Sequence, residues 1–138
     1  VLSSEILAIS QGPGLLPVFP PRYHLFLKQH NGGIPNRRRI SIAGHWDGTD
    51  LFDIFYGVHY PDPLFDVVKC GKEFPEYTAR QLLPIGETAG SSLVCVDLSQ
   101  PGTEPIVYLD VADSEDPLTR RAYFVANDIF EFCSRLQA

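Results

Sequence analysis

The sequence predicts an α+β fold: a single domain over residues 1–138, with a mostly antiparallel sheet of about five to six strands and helices at the N- and C-terminal ends. Two observations predict it. Strand-like segments follow one another through the middle of the chain without alternating helices, and segments with helical spacing lie on both sides of them. The first helical segment covers residues 3–11. No repeat or low-complexity linker divides the 138 residues, a length that suits one domain.

A second helix is predicted in YHLFLKQHNGG, where an amphipathic run stops at Asn31-Gly32-Gly33. Its apolar stripe, at the spacing i, i+3, i+4 and i+7, comprises Tyr23, Phe26, Leu27 and His30. Pro20 and Pro21 suit a first helical turn because proline lacks the N–H that would be unsatisfied there. Asn31, Gly32 and Gly33 adopt positive φ easily, so we interpret them as the end of the helix and a turn rather than as a catalytic motif.

Alternating or continuous apolar runs predict the strands. The predicted strands cover residues 40–42, 51–58, 82–86, 92–98, 106–111 and 123–126. In the second of them, one face is expected to carry Phe52, Ile54, Tyr56 and Val58. Pro84 favours an edge or entry position for the third strand, because proline cannot donate a hydrogen bond to a sheet. The segment 64–80 is ambiguous, and an irregular helical connection is expected there.

The remaining connections are predicted to be turns and loops before a closing helix. The glycine-rich segment 86–92 lacks the lysine of a phosphate-binding loop and no helix follows it, so a turn between antiparallel strands is expected. The charged segment 113–121 is predicted to be a loop. Asn127 is the expected N-cap of the closing helix. The apolar stripe of that helix comprises Ile129, Phe132, Cys133 and Leu136.

Composition excludes several classes of partner. The net charge of −6 argues against general binding to nucleic-acid backbones and is compatible with a basic protein partner. The basic run Arg37-Arg38-Arg39 is interpreted as a solvated turn, because no aromatic residues that could stack on bases are interleaved with it.

Three cysteines without a CxxC pair are typical of reduced thiols, which predicts a cytoplasmic protein. No segment approaches the about 20 apolar residues of a membrane helix, so no membrane association is expected.

No catalytic, cofactor or metal site emerges from the residues. The best metal candidates lie close together in the sequence: His45, Asp47, Asp50 and Asp53. They lack the ligand spacing of known metal sites, and a solvated acidic loop is the preferred interpretation. Cys95 and Cys133 lie in apolar runs, the usual setting of inert buried thiols. Cys70 has neighbouring lysines but no identifiable histidine partner.

Trp46, the single tryptophan, lies in a polar loop flanked by glycines. Burial in the core is the slightly preferred expectation for a side chain of this size. The alternative is exposure, which would mark a binding hot spot, because aromatic side chains bury a large area at low entropic cost.

The order of several short motifs resembles one known family. Along the chain they are Leu16-Pro17, Pro21-Arg22-Tyr23, Phe26-Leu27, Asn31-Gly32-Gly33, Leu83-Pro84-Ile85-Gly86, the strand ending at Asp97, Pro105-Ile106-Val107-Tyr108 and Phe130-Glu131-Phe132. This order resembles the SUKH superfamily, in particular the Smi/Knr branch named after a fungal regulator of cell-wall assembly. The chain departs from the family pattern at Pro20-Pro21, which are inserted, at Asp128-Ile129, where Ser-Phe is usual, and at Cys133, where leucine is usual.

The resemblance implies a non-catalytic protein-binding domain. Bacterial relatives are typically immunity proteins that bind and neutralise toxin domains, often nucleases, and an acidic surface suits a basic partner of that kind. A regulatory interaction module in cell-wall assembly and proliferation signalling is the alternative. A hydrolase is the third hypothesis, and it requires His45, Asp47, Asp50 and Cys70 to converge.

The expected structural and partner-binding residues are taken from the sequence features above together with this resemblance. The structural motif residues are Tyr23, Asn31, Gly32, Gly33, Pro84 and Gly86. The candidate partner-binding residues are Trp46, Glu87, Asp97, Asp110 and Asp113. Among these, Asp97 and Asp110 are expected to share the edge of one pocket.

Overall fold

The computed structural model describes residues 19–57 and 75–138. Within them the chain forms an antiparallel sheet whose spatial order is the chain order, with helices near both ends, which confirms the predicted α+β class. The strands are β1 (Arg39–Ser41), β2 (Thr49–Phe55), β3 (Leu82–Thr88), β4 (Leu93–Asp97), β5 (Ile106–Leu109) and β6 (Ala122–Ala126). The helices are α1 (Pro21–Gln29), α2 (Pro75–Ala79) and α3 (Ile129–Arg135). The predictions for residues 3–11, Val58, 64–74 and Cys70 lie outside the described residues.

Each strand pairs with the next in antiparallel orientation, and this topology gathers three connections at one end of the sheet. We call this end the loop end; it comprises residues 42–48, 89–92 and 110–121. The predicted turn between β3 and β4 is confirmed: the Thr88 N–H donates to the Ser92 carbonyl over 2.8 Å. The predicted loop over 113–121 is confirmed as well. The connection from β4 to β5 lies at the opposite end.

The main core lies between one face of the sheet and the helices α1 and α3. Its most completely buried side chains include Tyr23, Leu27, Phe52, Leu83, Ile85, Val94, Val96, Ile106, Ile129 and Phe132. Aromatic rings tie the layers together, since Phe52 and Phe132 have centroids 5.5 Å apart and Phe26 and Phe55 5.1 Å. Each such side chain contributes about 1.5–3 kcal/mol when fully buried, so this layer supplies most of the driving force for folding.

The other face of the sheet is covered in part by the short helix α2. Its Tyr77 packs with Leu82, Cys95, Val107 and Leu109 in a second apolar cluster. Arg120 donates to the Tyr77 hydroxyl over 2.9 Å, and Arg80 donates to the Pro117 carbonyl over 2.7 Å. These two contacts fasten the loop after β5 to α2.

The two cysteines in the described part of the chain are free thiols. Cys95 is fully buried, as predicted, and burial raises the pKa of its thiol. Cys133 is only partly buried, and burial raises its thiol pKa to about 11. Both thiols therefore stay protonated near neutral pH, which makes them poor nucleophiles.

The turn after α1 differs from the expected helix cap. The helix stops one residue before His30, which has extended backbone angles (φ −140°, ψ 90°) and an exposed side chain, so the apolar stripe ends at Leu27 and its extension to His30 is wrong. Gly32 and Gly33 do have positive φ, 83° and 113°. Gly33 then exchanges two hydrogen bonds with Phe55 of β2, over 3.1 and 2.9 Å. The glycines thus turn the chain alongside the sheet.

The N-terminus of α1 is capped by a residue that is distant in the sequence. Pro20 and Pro21 occupy the first turn as predicted, and Pro20 offers no capping side chain. Glu104, from the β4–β5 connection, is 4% exposed, and its carboxylate accepts the N–H groups of Arg22 (3.1 Å) and Tyr23 (3.0 Å). The Arg22 guanidinium lies 3.8 Å from the same carboxylate. A carboxylate suits this position because the helix dipole and free N–H groups favour negative charge.

Two bulges explain why the strand predictions for β2 and β3 were partly wrong. A register shift between Phe52 and Ile54 breaks the alternation, so Phe55 joins the main core and Ile54 does not. The edge position expected for Pro84 is also wrong, because β3 is a central strand. Pro84 pairs with Cys95 next to a second bulge, where an absent N–H is tolerated.

The closing helix is capped by Asp128 and not, as predicted, by Asn127. Asp128 has extended backbone angles, and its carboxylate accepts the Glu131 N–H over 2.8 Å. The Asn127 side chain instead donates to the Glu131 carboxylate, over 3.2 and 3.1 Å. A carboxylate is the stronger acceptor for the first N–H groups of a helix.

Residues near the end of α3 contact both edge strands of the sheet. Gln137 exchanges hydrogen bonds with Arg39 of β1, over 2.9 and 3.0 Å. Arg135 donates to the Val125 carbonyl of β6 over 2.6 Å. The same short segment therefore contacts both edge strands of the sheet.

The Glu104 cap can be tested by Glu104→Gln. We expect the free energy of unfolding to fall by about 1–2 kcal/mol, because the amide offers one acceptor oxygen and turns a donor toward the second N–H. Denaturant titration of both proteins measures the difference. Glu115→Gln, at an exposed position of the same charge, is the control and should change stability by less than about 0.5 kcal/mol. Equal stability of Glu104→Gln and wild type would exclude the capping role.

Gly86→Ala tests the close approach of β2 and β3. A Cβ at this position would lie 2.6 Å from Phe52 Cζ and 2.7 Å from the Ile54 carbonyl oxygen, so the strands must move apart. We expect a loss of about 1–3 kcal/mol in the free energy of unfolding. Gly90→Ala is the matched control, since a Cβ there has no atom within 4 Å, and it should be nearly neutral. A neutral Gly86→Ala would contradict the described packing.

Candidate protein-binding site

The loop between β1 and β2 presents the single tryptophan to solvent. The loop is closed by a hydrogen bond from the Ile42 N–H to the Gly48 carbonyl (2.8 Å), and both Gly44 and Gly48 have positive φ. Trp46 lies between these glycines and is 82% exposed, so the slight preference for burial was wrong. The reason is geometric: the closed turn carries Trp46 at its tip, where the indole N–H lies 3.4 Å from Asp110 Oδ2 and the ring lies beside that of His45.

His45, next to Trp46, is buried beneath the loop. Its Nε2 lies 2.7 Å from Asp110 Oδ2, and the two side chains are 3% and 8% exposed. Its Nδ1 accepts the Asp47 N–H over 3.2 Å, which leaves Nε2 as the nitrogen that donates to Asp110. Tyr108 and Tyr123 pack edge-on against the ring, with centroids 5.4 and 5.2 Å away. The interpretation of His45 as part of a solvated loop is therefore wrong.

Asp110 is the centre of this arrangement. Its carboxylate accepts from His45, from the Trp46 indole and, over 2.8 Å, from the Ala112 N–H. Burial raises the pKa of Asp110, but the hydrogen bonds from His45, Ala112 and Trp46 together outweigh burial and hold the pKa below its ordinary value. Asp110 is therefore a stable carboxylate that fixes the position of Trp46 from below.

A second set of hydrogen bonds joins the three connections of the loop end. The Tyr108 hydroxyl donates to Asp50 Oδ2 over 2.7 Å, which links β5 to the start of β2. The Val111 N–H donates to Ser92 Oγ over 3.2 Å, which links the loop after β5 to the start of β4. Burial is the main cause that raises the pKa of Tyr108, so its hydroxyl remains a proton donor at neutral pH. Hydrogen bonds between neighbouring segments thus hold the residues beneath Trp46, which we call the base under Trp46: His45, Asp50, Tyr108 and Asp110.

This arrangement supports the position of a side chain and offers no free reactive group. Both nitrogens of His45 make hydrogen bonds within the protein, to Asp110 and to the Asp47 N–H. Asp50 contacts Tyr108 and only the backbone of Asp47 contacts His45, while Cys70 lies outside the described residues. Across residues 19–57 and 75–138, no group of three or more His, Cys, Asp or Glu side chains could hold a metal ion.

The five candidate partner-binding residues occupy different places. Trp46 and Asp113 are exposed at the loop end, and Asp110 lies beneath them. Glu87 is half-buried in β3 and accepts the Tyr56 hydroxyl over 3.0 Å. Asp97 lies at the opposite end of the sheet, where it accepts the Ser99 N–H over 2.9 Å.

The expected pocket edge shared by Asp97 and Asp110 is wrong. In the β4–β5 register Leu93 pairs with Leu109 and Val96 with Ile106, so Asp97 and Asp110 follow opposite ends of the strand pair. Neighbouring antiparallel strands run in opposite directions, so the residues that follow β4 and β5 lie at opposite ends of the sheet.

Sequence reasoning missed His45 and Glu104 as partners of distant groups. His45 and Asp110 are 65 residues apart, and Glu104 and Tyr23 are 81 residues apart. Neither pair carries a local spacing that could have indicated the contact. A lone histidine beside the single tryptophan was the only available signal for the first pair.

Comparison with known proteins places this geometry in a family. The model of the SMI1 / KNR4 family (SUKH-1) matches residues 15–135. The chain belongs to that family. The resemblance inferred from the motif order is therefore confirmed. No curated protein and no solved structure matches the chain. Among residues 19–57 and 75–138, no helix has the length and apolar character needed to cross a bilayer.

The structural motif residues of the SMI1/KNR4 resemblance lie where the layers of the fold meet. Tyr23 is buried at the start of α1, and Gly32 and Gly33 turn the chain toward β2. Pro84 and Gly86 flank the bulge of β3. These residues shape the backbone, whereas Trp46 and Asp113 are presented to solvent.

Asp110→Asn tests the support beneath Trp46 through its pH dependence. Because the folded-state pKa of Asp110 is lowered, its carboxylate stabilises the fold above the unfolded-state pKa of about 3.8, and this stabilisation is lost as the pH falls through the folded-state pKa. At pH 7 we expect Asp110→Asn to lower the free energy of unfolding by about 1–3 kcal/mol. The difference from wild type should shrink as the pH falls below about 3.8 and through the lowered folded-state pKa.

Denaturant titrations at several pH values measure this difference. Asp47→Asn is the control, because Asp47 is exposed and only its backbone N–H contacts His45. It should show no comparable pH-dependent change. A constant difference between Asp110→Asn and wild type from pH 7 to pH 2 would contradict the role of the charged carboxylate.

Proposed function

We propose that the chain is a non-catalytic protein-binding domain of the bacterial cytoplasm, an immunity protein that binds and neutralises a toxin domain. Membership of the SMI1/KNR4 family (SUKH-1) supports this function at the level of the family, and the unbroken match over residues 15–135 supports one domain. The single observation that carries the proposal is Trp46, 82% exposed on a base of buried hydrogen bonds.

An exposed tryptophan on such a base has the properties of a binding hot spot. Tryptophan side chains bury about 150–250 Å² in interfaces, so covering Trp46 at about 25 cal/mol per Å² would contribute on the order of 4–6 kcal/mol before the cost of association. The contacts of its loop with Asp110 exist before binding, which reduces the conformational entropy lost on association. An exposed aromatic residue without such support would lose more conformational entropy on binding, so its net contribution to affinity would be smaller.

The charge around Trp46 supports a basic partner. The exposed acidic side chains of the loop end are Asp47, Asp113, Glu115 and Asp116. Two arginines of the same loops are engaged: Arg120 contacts Tyr77 and the Ser114 carbonyl, and Arg121 stacks on Tyr123. An acidic rim around an apolar anchor favours encounter with a positively charged surface and disfavours an acidic one. A toxin domain that acts on a polyanion carries such a surface.

Capture with purified toxin domains tests the function. Candidate toxin domains from the same genome are mixed with the tagged protein, and binding is measured as a dissociation constant. We expect one domain to form a one-to-one complex and to lose its toxic activity in it. Trp46→Ala should weaken that complex by at least about 30-fold, the equivalent of a 2 kcal/mol hot spot.

Phe124→Ala is the matched control for this experiment. Phe124 is also an exposed aromatic, 52% accessible, but it lines a cavity with Asp97 and Pro105, away from the loop end. It should leave the affinity unchanged. Binding only to endogenous cell-envelope or signalling proteins would favour the regulatory alternative, and equal effects of the two substitutions would move the interface away from Trp46.

A further inference from the structure

We propose that Trp46 receives a cationic side chain, arginine or lysine, from the partner, held between the indole face and the carboxylates of Asp47 and Asp113. This inference rests on the proposed function, because it specifies the chemistry of the same binding face. The cationic group would lie at the centre of the interface, held there by a cation–π contact and by the negative charge of the two carboxylates.

The orientation of Trp46 leaves its aromatic face available. The indole N–H is directed at Asp110 Oδ2, 3.4 Å away, so the polar edge of the ring points into the protein. The His45 ring lies beside it, with centroids 5.4 Å apart and an angle of 36° between the planes. With 82% of the residue exposed, the broad face of the indole is open to solvent. Tryptophan binds cations over this face better than any other aromatic side chain does.

The fold already contains one contact of this kind beside Trp46. The Arg121 guanidinium carbon lies 4.6 Å from the centroid of the Tyr123 ring. Tyr123 packs against His45, and His45 packs against Trp46, so the three rings form one aromatic strip. One end of this strip carries an arginine of the same chain. The other end, Trp46, is open to a cation from outside.

The neighbouring carboxylates make a cation the best-matched occupant. Asp47 follows Trp46 directly, and Asp113 is joined to Asp110 through its own N–H (3.2 Å). Asp113 accepts the Arg121 N–H over 2.8 Å, a neutral donor that leaves its negative charge in place. No ion pair within the described ranges neutralises either carboxylate. A purely apolar partner group would desolvate them without compensation, and an anionic group would be repelled.

A pair of peptides that differ only in charge tests the proposal. Hexa-arginine is compared with hexa-citrulline, in which a neutral urea group replaces each guanidinium. Trp46 is the only tryptophan of the chain, so its fluorescence reports on the site directly. We expect hexa-arginine to change the emission in a saturable way that weakens with added salt, and hexa-citrulline to have little effect. Equal responses to the two peptides would overturn the proposal.

Substitutions separate the cation–π contact from general attraction to an acidic surface. Peptide binding is measured with a labelled hexa-arginine, so that variants without tryptophan can be compared. Trp46→Leu keeps an apolar side chain but removes the aromatic face, and we expect it to weaken binding about 2–5-fold. Trp46→Phe should retain part of the affinity, and Phe124→Leu should have no effect. Unchanged binding by Trp46→Leu would overturn the proposal.

The two proposals fail in distinguishable ways. Asp47→Asn combined with Asp113→Asn should weaken hexa-arginine binding a further several-fold, and unchanged binding would exclude the carboxylates from the site. If Trp46→Ala prevents capture of a toxin domain while Trp46→Leu binds hexa-arginine as wild type does, the binding face stands and the cation site is excluded. If the peptide results are as expected but no toxin domain is captured, the cation site stands and the immunity function fails.

Discussion

The capping of α1 by Glu104 is the constraint on which the arrangement of the layers depends. Pro20, the N-cap residue of α1, has no capping side chain, and a carboxylate from the β4–β5 connection accepts the first N–H groups instead. This contact joins the start of the helix to the connection between β4 and β5. From there Tyr23 and Phe26 reach the main core, and the helix ends where Gly33 can pair with Phe55. One buried carboxylate thus fixes the start of α1, the longest helix within residues 19–57 and 75–138.

The loop end is built on a different principle from the core. The core gains stability from apolar burial, which tolerates small shifts of side chains. The base under Trp46 consists of hydrogen bonds with defined partners, from Asp110 to His45 and from Tyr108 to Asp50. Such contacts fix direction as well as distance, because a donor must face its acceptor. A surface side chain is held in one orientation more effectively by a polar base of this kind than by apolar packing.

Local sequence patterns predicted the helices and strands, whereas the bulges and the buried polar contacts depend on residues that are distant in sequence. The α+β class, the helix before the glycines and the approximate positions of the strands along the chain followed from periodicity, because each depends on residues close in sequence. The bulges did not, since the approach of Gly86 to Phe52 depends on two strands that meet only in the fold. For the same reason Glu104 escaped notice. The site was half predicted: Trp46 and Asp110 were selected, but the burial of Asp110 and the exposure of Trp46 became clear only from their contact.

The segment at the end of α3 has a consequence for how copies of this protein behave at high concentration. Unpaired edge strands offer free N–H and C=O groups that can pair with another chain, and proteins commonly cover them. Here Gln137 satisfies the outer groups of Arg39 in β1, and Arg135 satisfies the Val125 carbonyl in β6. A disturbance of these few residues would free backbone groups of both edge strands at once, so the protection of the two edges against pairing with another copy is coupled through one short segment.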